Sequence, residues 1–230
     1  MALAVAENVV AGTSSNVTEL ALTLSSAPEN DLLVSNCMTR SSTLTNPTGF
    51  TTAIEELNAG NADILRQAYK VAGASESTTP TWTNVNSGDG TAASCRRITG
   101  AATSSPLDKT ATDGVTAAQT SQASGTTATL SQADEIAVAA AGLREDGTSA
   151  SVDSSFVGLN DQAGTGAGGI NLVNLLDAHL IVAATTAVSC TFSWTGSATT
   201  MGLIATYIQA GGGGGGISIP VVQYHRRHNF

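Results

Sequence analysis

Apolar and polar residues alternate with period two along much of this chain, a spacing that suits a strand with one buried face and suits no helix. Leu20, Leu22 and Leu24 alternate with Glu19, Ala21 and Thr23, and Val188, Cys190, Phe192 and Trp194 alternate with Ser189, Thr191 and Ser193. Residues 31–38, 64–71, 135–141, 179–184 and 201–208 are apolar on both faces, as central strands are. Between these segments lie clusters of turn formers: Ala27-Pro28-Glu29-Asn30, Asn46-Pro47-Thr48-Gly49, Asn86-Ser87-Gly88-Asp89-Gly90, Glu145-Asp146-Gly147 and Ser193-Trp194-Thr195-Gly196. No window sustains apolar residues at i, i+3, i+4 and i+7 through several turns, and only residues 170–178 could form a turn or two of helix. The expected fold is therefore all-β, an antiparallel two-sheet sandwich of jelly-roll-like kind.

At 230 residues one such sandwich accounts for the chain. The expected division is an N-terminal arm over 1–15, a β-sandwich domain over 16–210, a glycine tether over 211–216 and an extended C-terminal arm over 217–230. Six consecutive glycines bury no side chain and lose the most backbone entropy on ordering, so they read as a flexible tether. Beyond them, Ile217, Ser218, Ile219, Pro220, Val221 and Val222 form a β-prone stretch, followed by Tyr224, His225, Arg226, Arg227, His228 and Phe230.

Asp and Glu number 18 against nine Lys and Arg, a balance that repels phosphate backbones and argues against nucleic acid as a partner. Residues 1–10 lack a basic start and contain Glu7, so they do not read as a secretion signal. The longest apolar run is about eight residues, well short of the ~20 that cross a bilayer, so no membrane is expected and the chain should be made in a cytoplasm. Cys37, Cys95 and Cys190 are odd in number and widely spaced, which suits packed thiols better than a disulfide framework or a zinc site.

Several motifs have a chemical reading and a plainer one. Gly164, Gly166 and Gly169 satisfy G-x-G-x-x-G, but the preceding segment is polar and turn-rich, so a glycine loop fits better than a dinucleotide site. His179 stands two residues from Asp177 without a matching nucleophile, and reads as a structural histidine. His225 and His228 would share a metal only on a helix, which Pro220 opposes. Asp89 lacks the further carboxylates of a Ca²⁺ loop, and the sequon Asn16-Val17-Thr18 has no export signal to give it meaning. Trp194 continues the inward face of its strand; Trp82 is the better candidate for an exposed ring that stacks on a sugar. No catalytic residue, cofactor site or metal site is expected.

The order Asp31-Leu32-Leu33-Val34, Arg40-Ser41-Ser42, Pro47-Thr48-Gly49-Phe50 and Ala68-Tyr69-Lys70-Val71-Ala72 resembles a recurrent β-sandwich module of bacteriophage and prophage structural proteins. Ile98-Thr99-Gly100, Ser105-Pro106-Leu107-Asp108, the Thr-rich stretch 126–130, the acidic-apolar stretch 134–141 and Phe192-Ser193-Trp194 extend the likeness over residues 17–208. The resemblance implies a non-enzymatic virion component, most simply a capsid decoration or cement protein that bridges neighbouring subunits. Its expected partners are the major capsid protein or other virion subunits and further copies of itself, and its expected location is the virion. Ile217, Ile219, Val221, Tyr224, Arg226, Arg227 and Phe230 are the expected assembly contacts: the apolar residues fill pockets on a neighbour, and the arginines seek acidic surfaces. A tail or fibre module binding host-surface carbohydrate or receptor is the alternative.

Overall fold

A computed structural model describes residues 1–13, 17–41, 43–58, 60–83, 85, 88–144, 148–153, 155–166 and 172–211. The described residues contain no helix. Their strands, in chain order, are β1 (Ala4–Gly12), β2 (Glu19–Ala21), β3 (Leu32–Thr39), β4 (Thr51–Asn58), β5 (Asp63–Val71), β6 (Thr81–Thr83), β7 (Thr91–Thr99), β8 (Leu107–Ala123), β9 (Glu135–Leu143), β10 (Thr148–Val152), β11 (Val157–Gly164), β12 (Val173–Val182) and β13 (Thr191–Ile208).

All the strand pairs are antiparallel, and they build two large sheets stacked face to face. The first has the order β1-β7-β3-β5-β4. In the second, β11, β12, β9 and β13 are successive neighbours, and the 18 residues of β13 also pair with β10 and β8. The antiparallel sandwich expected from the alternation is what the chain forms. Its connectivity is simpler than the repeated sheet-to-sheet crossings of a jelly roll: residues 4–99 supply every strand of the first sheet, residues 107–208 every strand of the second.

Three apolar layers follow from the alternation. The facing surfaces hold Leu32, Val34, Ile98, Ile136, Val138 and Tyr207 in one cluster, and Met38, Leu65, Ala92, Ala140, Leu175 and Leu203 in another. The outer face of the first sheet carries Leu33, Cys37, Ile64, Ala93 and Cys95 under a lid made by the β2–β6 ribbon, whose Leu20 and Trp82 point inward with Leu22 and Leu24. On the outer face of the second sheet, Val188, Cys190, Phe192 and Trp194 lie on one buried face, as their spacing predicts, together with Leu130 and Phe156. Central strands β3 and β9 are buried on both faces along their whole length. All three cysteines are buried and free, and burial pushes each thiol pKa well above its ordinary value.

Four expectations need correction. The N-terminal arm is strand β1, whose Val5 packs on the cluster between the sheets and Val9 on the outer cluster, while the strand pairs with β7 from Ala4↔Thr99 to Gly12↔Ala92. Within 170–178 the described part is extended, because Val173–Ala178 is buried on both faces between β11 and β9, where no helix fits. The turn signal at Gly196 lies inside β13; the strand absorbs it as a shift of register between Ser193 and Ala198, with Gly196 at φ 99°, a bulge in place of a turn. Trp82 is buried and donates its indole N–H to Ser35 Oγ at 2.9 Å, so it is no platform for a sugar.

Candidate functional site

A line of polar side chains crosses the space between the sheets. On β3, Asn36 separates Val34 of one apolar cluster from Met38 of the other, and on β7, Ser94 and Arg96 separate Ala92 from Ile98. Gln67 on β5, Asp177 and His179 on β12 and Tyr207 on β13 complete the line. Period two places each of them inward, because each shares a strand face with apolar residues two positions away.

Arg96 is the centre of this array and is fully buried. Its Nε donates to Asp177 Oδ2 at 2.9 Å, one terminal nitrogen donates to the carbonyls of Gly158 (2.8 Å) and Asp177 (3.1 Å), and the other lies 3.2 Å from His179 Nδ1. A guanidinium only donates, so Nδ1 accepts and the imidazole is neutral with its proton on Nε2. Burial and then the positive charge of Arg96, opposed by Asp177, push the His179 pKa down to about 4. Asp177 also accepts from Asn160 Nδ2 at 2.6 Å and from Asn36 Nδ2 at 3.3 Å. The chain of bonds continues inward from Gln67 Nε2 to Asn36 Oδ1 (2.7 Å) and from the Tyr207 hydroxyl to Gln67 Oε1 (3.0 Å). Outward it ends in the reciprocal pair Asn8–Asn160, which ties β1 to β11.

Buried charge is tolerable when every donor and acceptor is matched, and such a network then fixes one arrangement of its surroundings. Its chemistry is holding the two sheets in one register. Arg96 and Asp177 have their hydrogen-bonding capacity engaged by the protein itself.

A second titratable cluster lies at the end of the second sheet. Asp108 accepts from the Ser131 backbone N–H (2.8 Å), the Ser131 hydroxyl and Lys109 Nζ (2.8 Å). Burial opposes its ionisation, but these bonds win and hold its pKa at about 2. Neighbouring Glu135 is fully buried, and burial together with the Asp108 carboxylate pushes its pKa up. Two carboxyl groups driven apart in this way can divide acid and base roles in an enzyme. Here Ser131 and Lys109 close over Asp108, and Glu135 has no exposed surface, so the pair clasps the 131–135 turn onto β8.

Asp63, at the start of β5, is also buried, with Arg40 Nε at 4.0 Å, Arg144 at 3.8 Å and Asn58 Nδ2 at 3.1 Å. Burial raises its pKa against the pull of both arginines.

The surfaces suited to contact with another chain are the sheet edges. β8, 17 residues long, forms a ladder with β13 alone among the described residues, and Thr110, Thr112, Asp113, Gly114 and Val115 along it are exposed. Its register against β13 shifts repeatedly, a feature that twists an edge.

The expected assembly contacts Ile217, Ile219, Val221, Tyr224, Arg226, Arg227 and Phe230 lie outside the described residues, as do His225, His228, Asn16 and Gly169. Gly164 ends β11, and a Cβ there would meet the Thr91 carbonyl oxygen at 2.1 Å. The first glycine of G-x-G-x-x-G therefore serves the close approach of β11 to β7. The sequence reading paired His179 with Asp177 and missed Arg96, Asn36, Gln67 and Asn160. Asn36 and Gln67 carry a signal, a polar residue with apolar residues two positions to either side, as Asn36 has in Val34 and Met38; Arg96 and Asn160, on more polar strands, carry none. Among the described residues no group of three or more His, Cys, Asp and Glu is placed to hold a metal ion, and no helix is long and apolar enough to cross a membrane. No protein-family model, no curated protein and no solved structure matches this chain.

Proposed function

We propose that the chain is a non-enzymatic structural module of a larger assembly, a decoration or cement protein of a bacteriophage particle. The observation that supports the reading is the long polar edge strand β8, beside which the sequence offers a β-prone segment, 217–222, after the glycines 211–216. An extended segment adds to an open edge through backbone hydrogen bonds, and alternate side chains, here Ile217, Ile219 and Val221, fill pockets beside it. Arg226 and Arg227 then meet the acidic surface of a neighbouring subunit. The partners are the major capsid protein or other virion subunits and further copies of the chain. Such a module stabilises a shell by many repeated weak contacts, and its location is the virion.

A chain stopped after Ala210 tests this. It should keep its circular dichroism and melting temperature, since the tether adds nothing to the core, yet fail to form the native oligomer or to join particles. Full incorporation without residues 211–230 would refute the role given to the arm.

A further inference from the structure

The outer face of the first sheet holds a cavity that neither the inter-sheet network nor the proposed assembly arm uses. Its volume is about 320 Å³, and its walls are the 46–50 turn, the 76–80 loop, β6 and the start of β2. Small-molecule sites span ~300–1000 Å³, so the space suits a single ring.

The lining combines one aromatic wall with hydroxyls and carboxylates. Phe50 is half-buried, with part of its ring packed on the cluster that holds Trp82. Around it stand Thr48, Ser77, Thr79, Thr81, Thr83, Glu19 and Glu76. Hydroxyls donate and accept, and carboxylates accept. Glu76 is kept ionised: burial opposes, but bonds from Lys70 and the Gly73 backbone lower its pKa.

The walls are tied to one another before any ligand arrives. Lys70 Nζ donates to Glu76 at 2.7 Å and reaches the Thr48 carbonyl at 3.4 Å, so one ammonium joins the 76–80 loop to the 46–50 turn. Gly49, at φ 79°, lets that turn sit on the Lys70 side chain, which a Cβ would meet at 2.8 Å. Thr45 and Thr83 exchange backbone hydrogen bonds at 2.9 and 3.2 Å and fix the turn to β6. Preorganised walls spare a ligand the cost of ordering them.

We infer that this cavity binds a neutral pyranose sugar, its apolar ring face against Phe50 and its hydroxyl groups bonded to Glu19 and the surrounding threonines. An anion is disfavoured by two carboxylates in the lining, and the neighbouring Lys70 is already engaged with Glu76. An apolar ligand would leave those carboxylates and hydroxyls without partners.

The test uses the full chain and saturation-transfer NMR with glucose, galactose, mannose, N-acetylglucosamine and N-acetylgalactosamine, each at about 10 mM, concentrations suited to weak single-site binding. At least one of these sugars should show transfer. Phe50→Ala should weaken it about tenfold, as loss of an aromatic wall does. Glu19→Gln, on an exposed side chain, should weaken it without moving the melting temperature. Absence of transfer from all five sugars overturns the inference, as does binding that survives both substitutions. Methylammonium bound in their place at the same residues would also overturn it and mark a cation site. Particle incorporation is a separate readout, so failure here leaves the assembly reading standing.

Discussion

Arg96, on β7, bonds across the sandwich to both β11 and β12. Removing one partner of a buried pair leaves the other charge unmatched, at ~3–5 kcal/mol. Arg96→Leu and Asp177→Leu should each lower the unfolding free energy obtained from urea titration by that much. The double substitution should cost less than the sum of the two, and strict additivity in a double-mutant cycle would show that the pair is not coupled. His179 gives the same site a pH dependence. In the unfolded chain it takes up a proton near pH 6.5, whereas in the fold it does so only near 4. Between those values the unfolded state binds more protons, so this contribution is fully present above pH 6.5 and is lost as pH falls toward 4. His179→Gln keeps an acceptor for Arg96 and does not titrate. The difference between the two stability curves should therefore grow over that window and be flat above pH 7.

At the scale of elements, β13 was legible in advance because Phe192 and Trp194 keep strict alternation with exposed or half-exposed neighbours. Phe192→Ala should cost ~3–5 kcal/mol as a core cavity, and Ser193→Ala, at a half-exposed position, far less; equal losses in thermal melts would contradict the register. β12 misled the reading. Val173, Leu175 and Leu176 put apolar residues on both sides of the chain, which suits both a buried strand and a short helix, and only its neighbours β9 and β11 decide between them. The 1–15 segment misled in the opposite sense. Its alternation is shallow, with Ala4 and Ala6 exposed and Val5 half-buried, so an edge strand looked like an arm. The Arg96–Asp177 pair was not legible at all: 81 residues separate the partners, and nothing local to either one names the other. Phe50 and its threonines likewise lie on three separate segments, and the cavity exists only once β6 folds back beside the 46–50 turn.

The whole molecule divides in sequence as it divides in space. The two sheets share one connection, the 100–106 segment, whose Thr103, Ser104 and Ser105 are exposed and outside any strand. Fragments 1–103 and 104–230, produced together, should associate into a complex with the circular dichroism of the intact chain. Each alone would expose the apolar surface and half of the polar line, and should precipitate or remain unfolded; an isolated fragment that stays monomeric and folded in sedimentation would show that the sheets do not depend on each other.

That division also sets an order in time. As the ribosome releases the chain, every strand of the first sheet has emerged before any strand of the second, and domains form from the N-terminal side first. In that first half Asn36, Gln67, Ser94 and Arg96 interrupt apolar strand segments whose partner sheet does not yet exist. A charge set among hydrophobic strand residues discourages sticking to another nascent chain. In this protein the charge that ties the finished sandwich together is made first, and it stays without its carboxylate partner until Asp177 is synthesised 81 residues later.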